Sequence, residues 1–476
     1  MLFQKFNFPT TLIIFGVTGD LSRKKLLSSL FHMYCKDYLP SAFRVVGFSR
    51  HQYSESAFQE FVKEILLEKD PEADLEKIEE FTGLFYHQYG TFEDTTSYEA
   101  LSKLLLEIDN TVGICMNKLF YLAVPPTSYK VIFQNLSESD LTIPCSGKLG
   151  WTRILVEKPF GRDLETAQEL DQLLGNLFRE KQIFRIDHYL AKETIQDILT
   201  FRFSNTLFEP VWNKNFVEKV EIKLWEDIDI ASRGLFYDDI GALRDVGQNH
   251  ILQMLALVAM DHPGEINADA IRHARVKVMQ NLKLADEQDL ENCIIRGQYE
   301  GFADGVTVQS TSETETYFKM KTFVDNERWE GVPFYIESGK AVKDKKVEIT
   351  ISFKGAHPCF CLEEHDGSEH QNTITLSIQP KEQITVRFWS KKPGMVSGVI
   401  PQDLSFDYSL GKEQGMRVDA YEKVLFDCIA GDQTLFASTD EISASWAFIT
   451  PILKKWHTVP LEIYAKGSVG PERNWE

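Results

Sequence analysis

Residues 11–25 read TLIIFGVTGDLSRKK, a short apolar run rich in β-branched residues, a glycine turn at Gly16-Val17-Thr18-Gly19, and then a basic stretch. This is the grammar of a strand, a tight turn and a helix. Glycines let the backbone approach a phosphate, and the helix N-terminus supplies N–H groups and the positive end of a dipole. The turn departs from the usual G-x-G-x-x-G pattern, so a ligand-free βα turn reads the stretch equally well. The segments that follow decide between the two readings.

Working outward, RVVGFS (44–49), KLFYLAV (118–124), RILVEK (153–158) and IFRID (183–187) are further strand candidates. They are separated by amphipathic segments such as LSRKKLLSSLFHMY, where Leu26, Leu27, Leu30, Phe31 and Tyr34 recur at helical spacing. Strands alternating with helices predict an α/β, Rossmann-like dinucleotide-binding domain over residues 1–187. After His188 the pattern changes. Helical AKETIQDIL is followed by a strand at VEKVEIKLW, a long helix around ALRDVGQNHILQMLALVAM, and then mostly strands. In NTITLSIQPKEQITVRFW, Ile374, Leu376 and Ile378 answer Ile384, Val386 and Phe388, as in a hairpin with one buried face. Helical DAYEKVLFDCIAGD and STDEISASWAFITPILKKW close the chain. Residues 188–476 are therefore expected to form a larger α+β domain with a predominantly antiparallel sheet, for substrate binding and oligomerisation.

The 476 residues are 43% hydrophobic and 26% charged, enough for a large core. With 71 Asp and Glu against 51 Lys and Arg, the net charge of -20 argues against nucleic-acid and anionic-membrane partners. An anionic ligand must then be met by a local basic cluster. Seven scattered cysteines suit a reducing compartment better than a disulfide framework. No apolar stretch approaches the roughly 18 residues of a membrane span, and the N-terminal run leads into the glycine turn, so a soluble, cytoplasmic protein is expected.

Four further stretches carry chemistry. An NAD enzyme would place an acidic residue at the end of the second strand, whereas this chain has Arg50, which suits a 2′-phosphate. In Arg185-Ile186-Asp187-His188-Tyr189-Leu190-Ala191-Lys192-Glu193, a helix starting after Asp187 would put His188 and Lys192 on one face as phosphate donors. A capping Asp with a solvated His and Lys is the plain alternative. Inside the long helix, Asp245, Gln248, Asn249 and His250 form a hydrophilic turn, as where a helix lines a polar pocket. A neutral histidine held by a carboxylate is a suitable base for a hydroxyl proton, although a lone histidine among Val246, Ile251 and Met254 also reads as a core residue. Gly339-Lys340-Ala341-Val342-Lys343-Asp344-Lys345-Lys346 is the densest basic run and could close a phosphate pocket. His357, Cys359, Cys361 and His365 match no common zinc spacing, and no metal is expected.

Taken in order, GVTGDLSRKK, VVGFSR, YLAVPPTSY, ILVEKPFGRDL, RIDHYLAKE, DVGQNHILQML, VPFYIESGKAV, the QP of SIQP, KKPGM and YEKVLFDCIAGD resemble the glucose-6-phosphate dehydrogenase family over nearly the whole chain. RIDHYLxKE and EKPFGRDL are the most specific of these. The resemblance implies NADP as cofactor, glucose 6-phosphate as substrate, 6-phospho-D-glucono-1,5-lactone as product, and a homodimer or homotetramer. It implies His250 as the base and Asp187 as its orienting partner. It also implies His188, Tyr189 and Lys192 on the phosphate, Glu226, Asp245 and Gln379 on the sugar, and Lys340 with Lys345 closing the pocket. Lys158 would reach both sugar and cofactor, and Gly16, Thr18, Gly19, Asp20, Leu21, Arg23, Arg50 and Tyr129 would hold the cofactor. Ala191 stands where the family usually has glycine, and Ser377 where a structural second NADP would need arginine, so no second NADP is expected. Sugar oxidoreductases of the glucose–fructose type share an EKP segment but lack RIDHYLxKE. A sensor that had lost turnover would be expected to have lost Asp187 or His250.

Overall fold

The computed structural model describes residues 8–144, 150–230, 237–238, 240–304, 308, 311–355, 370–395, 398–408 and 418–473. The quartet His357, Cys359, Cys361 and His365 lies outside these residues. Among the described residues no cluster could hold a metal ion, and no helix is long and apolar enough to cross a membrane. Cys35, Cys293 and Cys428 are free, but Cys115 is disulfide-bonded, which the scattered spacing of the cysteines did not suggest.

The chain forms two compact units. One comprises Met1–Gly161, Glu165–Ala191 and Val418–Thr439; the other comprises Arg162–Leu164, Lys192–Arg417 and Asp440–Glu476. In the first unit, strands β1 (Thr10–Phe15), β2 (Phe43–Ser49), β3 (Phe85–Tyr89), β4 (Asn117–Leu122), β5 (Thr152–Val156) and β6 (Ile183–Ile186) are parallel, in the spatial order β6-β5-β4-β1-β2-β3. This is the doubly wound order, with its switch point between β1 and β4. β1 is buried at every residue, as a central parallel strand covered on both faces must be. β3 is absent from the sequence-based strand candidates because only Phe85 of FYHQY is buried, so this edge strand carries little apolar signal.

Residues Val418–Thr439, assigned from sequence to the C-terminal domain, cluster with the first unit. A short strand, β16 (Phe436–Ala437), adds antiparallel to β6 by pairing with Ile186 and Arg185. The Phe436 ring meets Phe184 edge-on at 4.8 Å. Arg153 ties the helix Ala420–Ala430 down by donating to the carbonyls of Cys428 and Ile429 at 2.6 and 2.8 Å.

The second unit is built on a ten-stranded sheet. Its strands are β7 (Val217–Trp225), β8 (Leu282–Leu284), β9 (Ile294–Tyr299), β10 (Tyr317–Val324), β11 (Phe334–Gly339), β12 (Lys346–Phe353), β13 (Thr373–Gln379), β14 (Gln383–Lys391), β15 (Val399–Asp407) and β17 (Leu461–Tyr464). The main path runs β15-β14-β13-β12-β7-β11-β10-β9-β17, with β8 paired to β10. Most neighbours are antiparallel, but β7 and β11 are parallel, with Trp225 opposite Gly339. The β13–β14 hairpin pairs Ile374 with Val386 and Leu376 with Ile384 on the buried face. Phe388 breaks the sequence expectation: it is 43% exposed and pairs with Gln402 of β15.

Candidate active site

In the first unit every strand that matters ends at the same edge. Gly16 follows β1, Arg50 follows β2, Glu157 and Lys158 follow β5, and Asp187 follows β6. Gly16 has φ +79, and a Cβ there would sit 2.6 Å from the Ala123 carbonyl oxygen, so only glycine allows this turn against β4. Gly19 N–H donates back to the Gly16 carbonyl at 2.9 Å, and Ser22 Oγ donates to the same oxygen at 3.0 Å. Residues Ser22–Leu26 then wind as a π-helical turn into the helix Leu27–Cys35. Thr18 and Leu21 are partly buried, and Asp20 is exposed and paired with Lys24 at 2.6 Å. The Arg23 guanidinium lies 5.4 Å from the Phe61 ring centre, and Arg50 is exposed. A glycine cradle, a helix start and exposed arginines fit a dinucleotide's phosphates.

Tyr129 differs from what its family role suggests. It is 1% exposed, and its hydroxyl donates to the backbone carbonyl of Glu157 at 3.0 Å, bracing the Glu157–Lys158 turn. Tyr121 donates to the Glu157 carboxylate at 2.6 Å. Burial pushes the Glu157 carboxyl up to about 7, against the pull of Tyr121 and the Lys158 charge and with a further push from Asp187. The folded protein therefore keeps a proton that the unfolded chain releases near its ordinary value of 4.5. Stability from this group is full below that value and is lost as pH rises toward 7. Glu157→Gln is expected to flatten the fall in Tm between these pH values, and parallel melting curves for wild type and variant would refute it.

At the end of β6, Asp187 is 4% exposed and accepts the Tyr189 N–H at 2.9 Å. The His188 and Tyr189 rings lie 4.8 Å apart. The helix does not start after Asp187 as the sequence suggested. Residues 188–191 form a turn and Lys192 is the N-cap of the helix Glu193–Phe203, so helical i,i+4 spacing does not relate His188 to Lys192. Ala191 is 4% exposed and takes a negative φ, so its methyl is accommodated without backbone strain.

In the second unit Glu226 and Lys340 are brought together by parallel pairing, one just past the end of β7 and the other just past β11. Lys340 is 6% exposed and pairs with the carboxylates of Glu226 and, at 2.9 Å, Asp245. Burial alone would lower its pKa, but the charges of Asp245 and Glu226 outweigh that and hold it above its ordinary value. The Tyr237 ring lies 5.7 Å from Nζ, within an aromatic wall that includes Trp225, Tyr317 and Tyr464. Ala341, the next residue, has φ +51, a conformation costly for any residue with a Cβ. Lys345 stays exposed before β12, and Gln379 is the partly buried last residue of β13.

Asp245 and His250 ride on a helix in which Leu243–Ile251 are π-helical before it continues as Leu252–Ala259. Such widened turns recur at functional sites. His250 is 1% exposed. The hydrophilic turn does not act as a unit, as the sequence suggested. Asp245 reaches Lys340, whereas Gln248 donates to Ser445 at 2.8 Å. Asn249 donates to the carbonyls of Arg244 and Asp245 in its own helix. Tyr237, Glu157 and Glu315 were not among the sequence candidates; nothing in their local sequence marks them as buried.

A doubly wound sheet with a phosphate cradle, in a chain whose α+β unit buries a lysine between two carboxylates, defines a nicotinamide-dependent dehydrogenase acting on a polar, hydroxylated substrate. The family described as glucose-6-phosphate dehydrogenase, NAD binding domain, matches residues 13–197, and the glucose-6-phosphate dehydrogenase C-terminal domain matches residues 199–476. The chain belongs to the glucose-6-phosphate dehydrogenase family. It is 40% identical over 471 residues to glucose-6-phosphate 1-dehydrogenase of Borreliella burgdorferi, covering 97% of this chain and 95% of the relative. The enzyme of that name from Aggregatibacter actinomycetemcomitans is 40% identical over 473 residues, covering 97% and 94%. A solved glucose-6-phosphate dehydrogenase in complex with its substrate glucose-6-phosphate superposes with a TM-score of 0.89 at 32% identity, covering 98% of this chain and 96% of that one.

Proposed function

We infer that the protein oxidises D-glucose 6-phosphate at C1 to 6-phospho-D-glucono-1,5-lactone with hydride transfer to NADP, the first step of the oxidative pentose phosphate pathway. The observation that carries this reading, within a chain of this family, is the Lys340–Glu226–Asp245 cluster. A buried ammonium flanked by two carboxylates offers sugar hydroxyls both a donor and acceptors in a low-dielectric recess.

In this reading His250 takes the C1 hydroxyl proton, and Asp187 orients it and stabilises the imidazolium. As the O–H bond breaks, the C1–O bond gains double-bond character and the C1 hydrogen leaves with its electron pair. A bound nicotinamide would supply the acceptor for that hydride. His188, Tyr189, Lys192 and Lys345 take the 6-phosphate, while Glu226, Asp245, Lys340 and Gln379 hold the sugar. Lys158, at the sheet edge beside Glu157, reaches sugar and cofactor. Gly16, Thr18, Gly19, Asp20, Leu21 and Arg23 form the phosphate cradle, and Tyr129 supports it through the Glu157 carbonyl.

NADP is favoured over NAD by Arg50, which stands where an acidic residue would hold a free 2′-hydroxyl. Arg50→Ala should raise KM for NADP about tenfold or more while leaving that for NAD within about twofold. Equal changes for both cofactors would remove Arg50 from the 2′-phosphate. The reading also includes a cytoplasmic location and a homodimer or homotetramer; the exposed Phe388, Leu404 and Phe406 on β14 and β15 support the oligomer. The first test is the absorbance of reduced cofactor with glucose 6-phosphate and with plain glucose. Turnover of only the phosphorylated sugar supports the reading, and binding of both ligands without turnover refutes it.

A further inference from the structure

Two residues without a task in that mechanism, Glu315 and Thr316, hold both halves of the lysine–carboxylate cluster. The Thr316 carbonyl accepts the Lys340 backbone N–H at 2.9 Å. The Tyr464 hydroxyl, 2.9 Å from Thr316 Oγ1, donates to the Lys340 carbonyl at 2.6 Å. One residue earlier, the Glu315 carbonyl accepts the Ala242 N–H at 3.1 Å. The Glu315 side chain is buried, with the residue 3% exposed; Oε1 accepts the Leu243 N–H at 3.0 Å and Oε2 accepts the Trp456 indole N–H at 3.0 Å.

Leu243 opens the π-helical segment that carries Asp245 and His250. A carboxylate on the first N–H groups of a helix satisfies donors that have no partner within it and sits at the positive end of the dipole. The turn before it is shaped to admit that carboxylate. Gly241 has φ +75, and a Cβ there would lie 2.3 Å from Glu315 Oε1. At the other end of the helix, Arg202, 0% exposed, donates to the carbonyls of Leu257 and Val258 at 3.1 and 2.9 Å. The indoles of Trp212 and Trp329 donate to the Val258 and Ala259 carbonyls at 2.8 and 2.7 Å. Buried groups of complementary charge thus hold the helix at both ends.

We propose that Glu315 is a positioning residue for sugar binding: its carboxylate fixes the start of the Leu243–Ala259 helix against the strand segment that also fixes Lys340, so that Asp245 meets the lysine. The proposal rests on the reading of Glu226, Asp245 and Lys340 as the sugar site. Glu315→Gln preserves shape but turns one amide N–H toward a donor, either Leu243 N–H or the Trp456 indole. Its expected effect is a rise of about tenfold in both the calorimetric Kd and the KM for glucose 6-phosphate, with NADP affinity within about twofold of wild type. Trp456→Phe, which removes one partner and leaves the carboxylate on Leu243, should raise the sugar Kd by a smaller factor, about threefold.

A merely structural role would lower Tm and the fraction of active enzyme while leaving Kd and KM of the surviving molecules unchanged, and that result overturns the proposal. Should Glu315→Gln fail to fold, an unchanged sugar Kd in Trp456→Phe overturns it equally. If wild type binds glucose 6-phosphate but does not reduce the cofactor, the proposed function fails while the positioning role still stands or falls on the Kd.

Discussion

His250→Asn is expected to lower kcat by about 10²- to 10⁴-fold, the usual contribution of a positioned general base, with Kd for glucose 6-phosphate and NADP nearly unchanged. His250 is 1% exposed, on a π-helical segment two turns from an N-terminus pinned by buried groups, so its imidazole has few rotamers to explore. A base held in this way pays no reorganisation when the C1 hydroxyl proton moves. Asparagine is close in size and can still hydrogen-bond the hydroxyl, but it cannot accept its proton. The loss should therefore fall on kcat and on kcat/KM equally, as for an interaction realised only in the transition state. Single-turnover and steady-state rates of the purified variant check this. Retention of more than about a tenth of wild-type kcat would remove His250 from the role of base.

Lys340→Met should be the most damaging change to substrate recognition, lowering kcat/KM by about 10²- to 10³-fold and stability by about 2 kcal/mol. Methionine fills the same channel along the aromatic wall, so the loss is electrostatic. It leaves Glu226 and Asp245 facing each other without the cation that both approach. The stability figure lies below that for a fully buried pair because the Glu226 and Asp245 side chains are 36% and 27% exposed. Melting curves and steady-state kinetics of the purified variant measure the two losses directly. A fall in Tm with kcat/KM within about threefold of wild type would mean that Lys340 acts through packing alone.

Much of the first unit was legible because its strands are buried on both faces and therefore read as apolar runs. TLIIF, RVVGFS, KLFYLAV and RILV are continuous signals, followed in turn by Gly16, Arg50, Pro125 and Glu157. FYHQY fails the same test because an edge strand buries only one of its residues. The short pairing of Phe436 and Ala437 with β6 links residues some 250 positions apart, and two residues carry no period from which to infer it. In the second unit the β13–β14 hairpin was legible from alternation, whereas the parallel contact of β7 with β11 was not, since nothing in either strand names its neighbour.

The candidate site divides in the same way. Local sequence determined the chemistry available: a glycine turn before a helix, Arg50 after the second strand, a histidine and carboxylates in one helical stretch, and a basic run after VPFYIES. Only the tertiary structure decided which of these groups meet. Lys340 joins Glu226 and Asp245 because two parallel strands end together beside a helix, while Lys345, five residues on in the same basic run, stays at the surface. It also decided that Gln248 turns to Ser445 and that Glu315, one of the two glutamates in TSETET, becomes a buried helix anchor. The physical reason is that composition and period depend on neighbours a few residues apart. The energy of a buried charge depends instead on partners that arrive from distant parts of the chain, and those partners exist only once the sheet register is set.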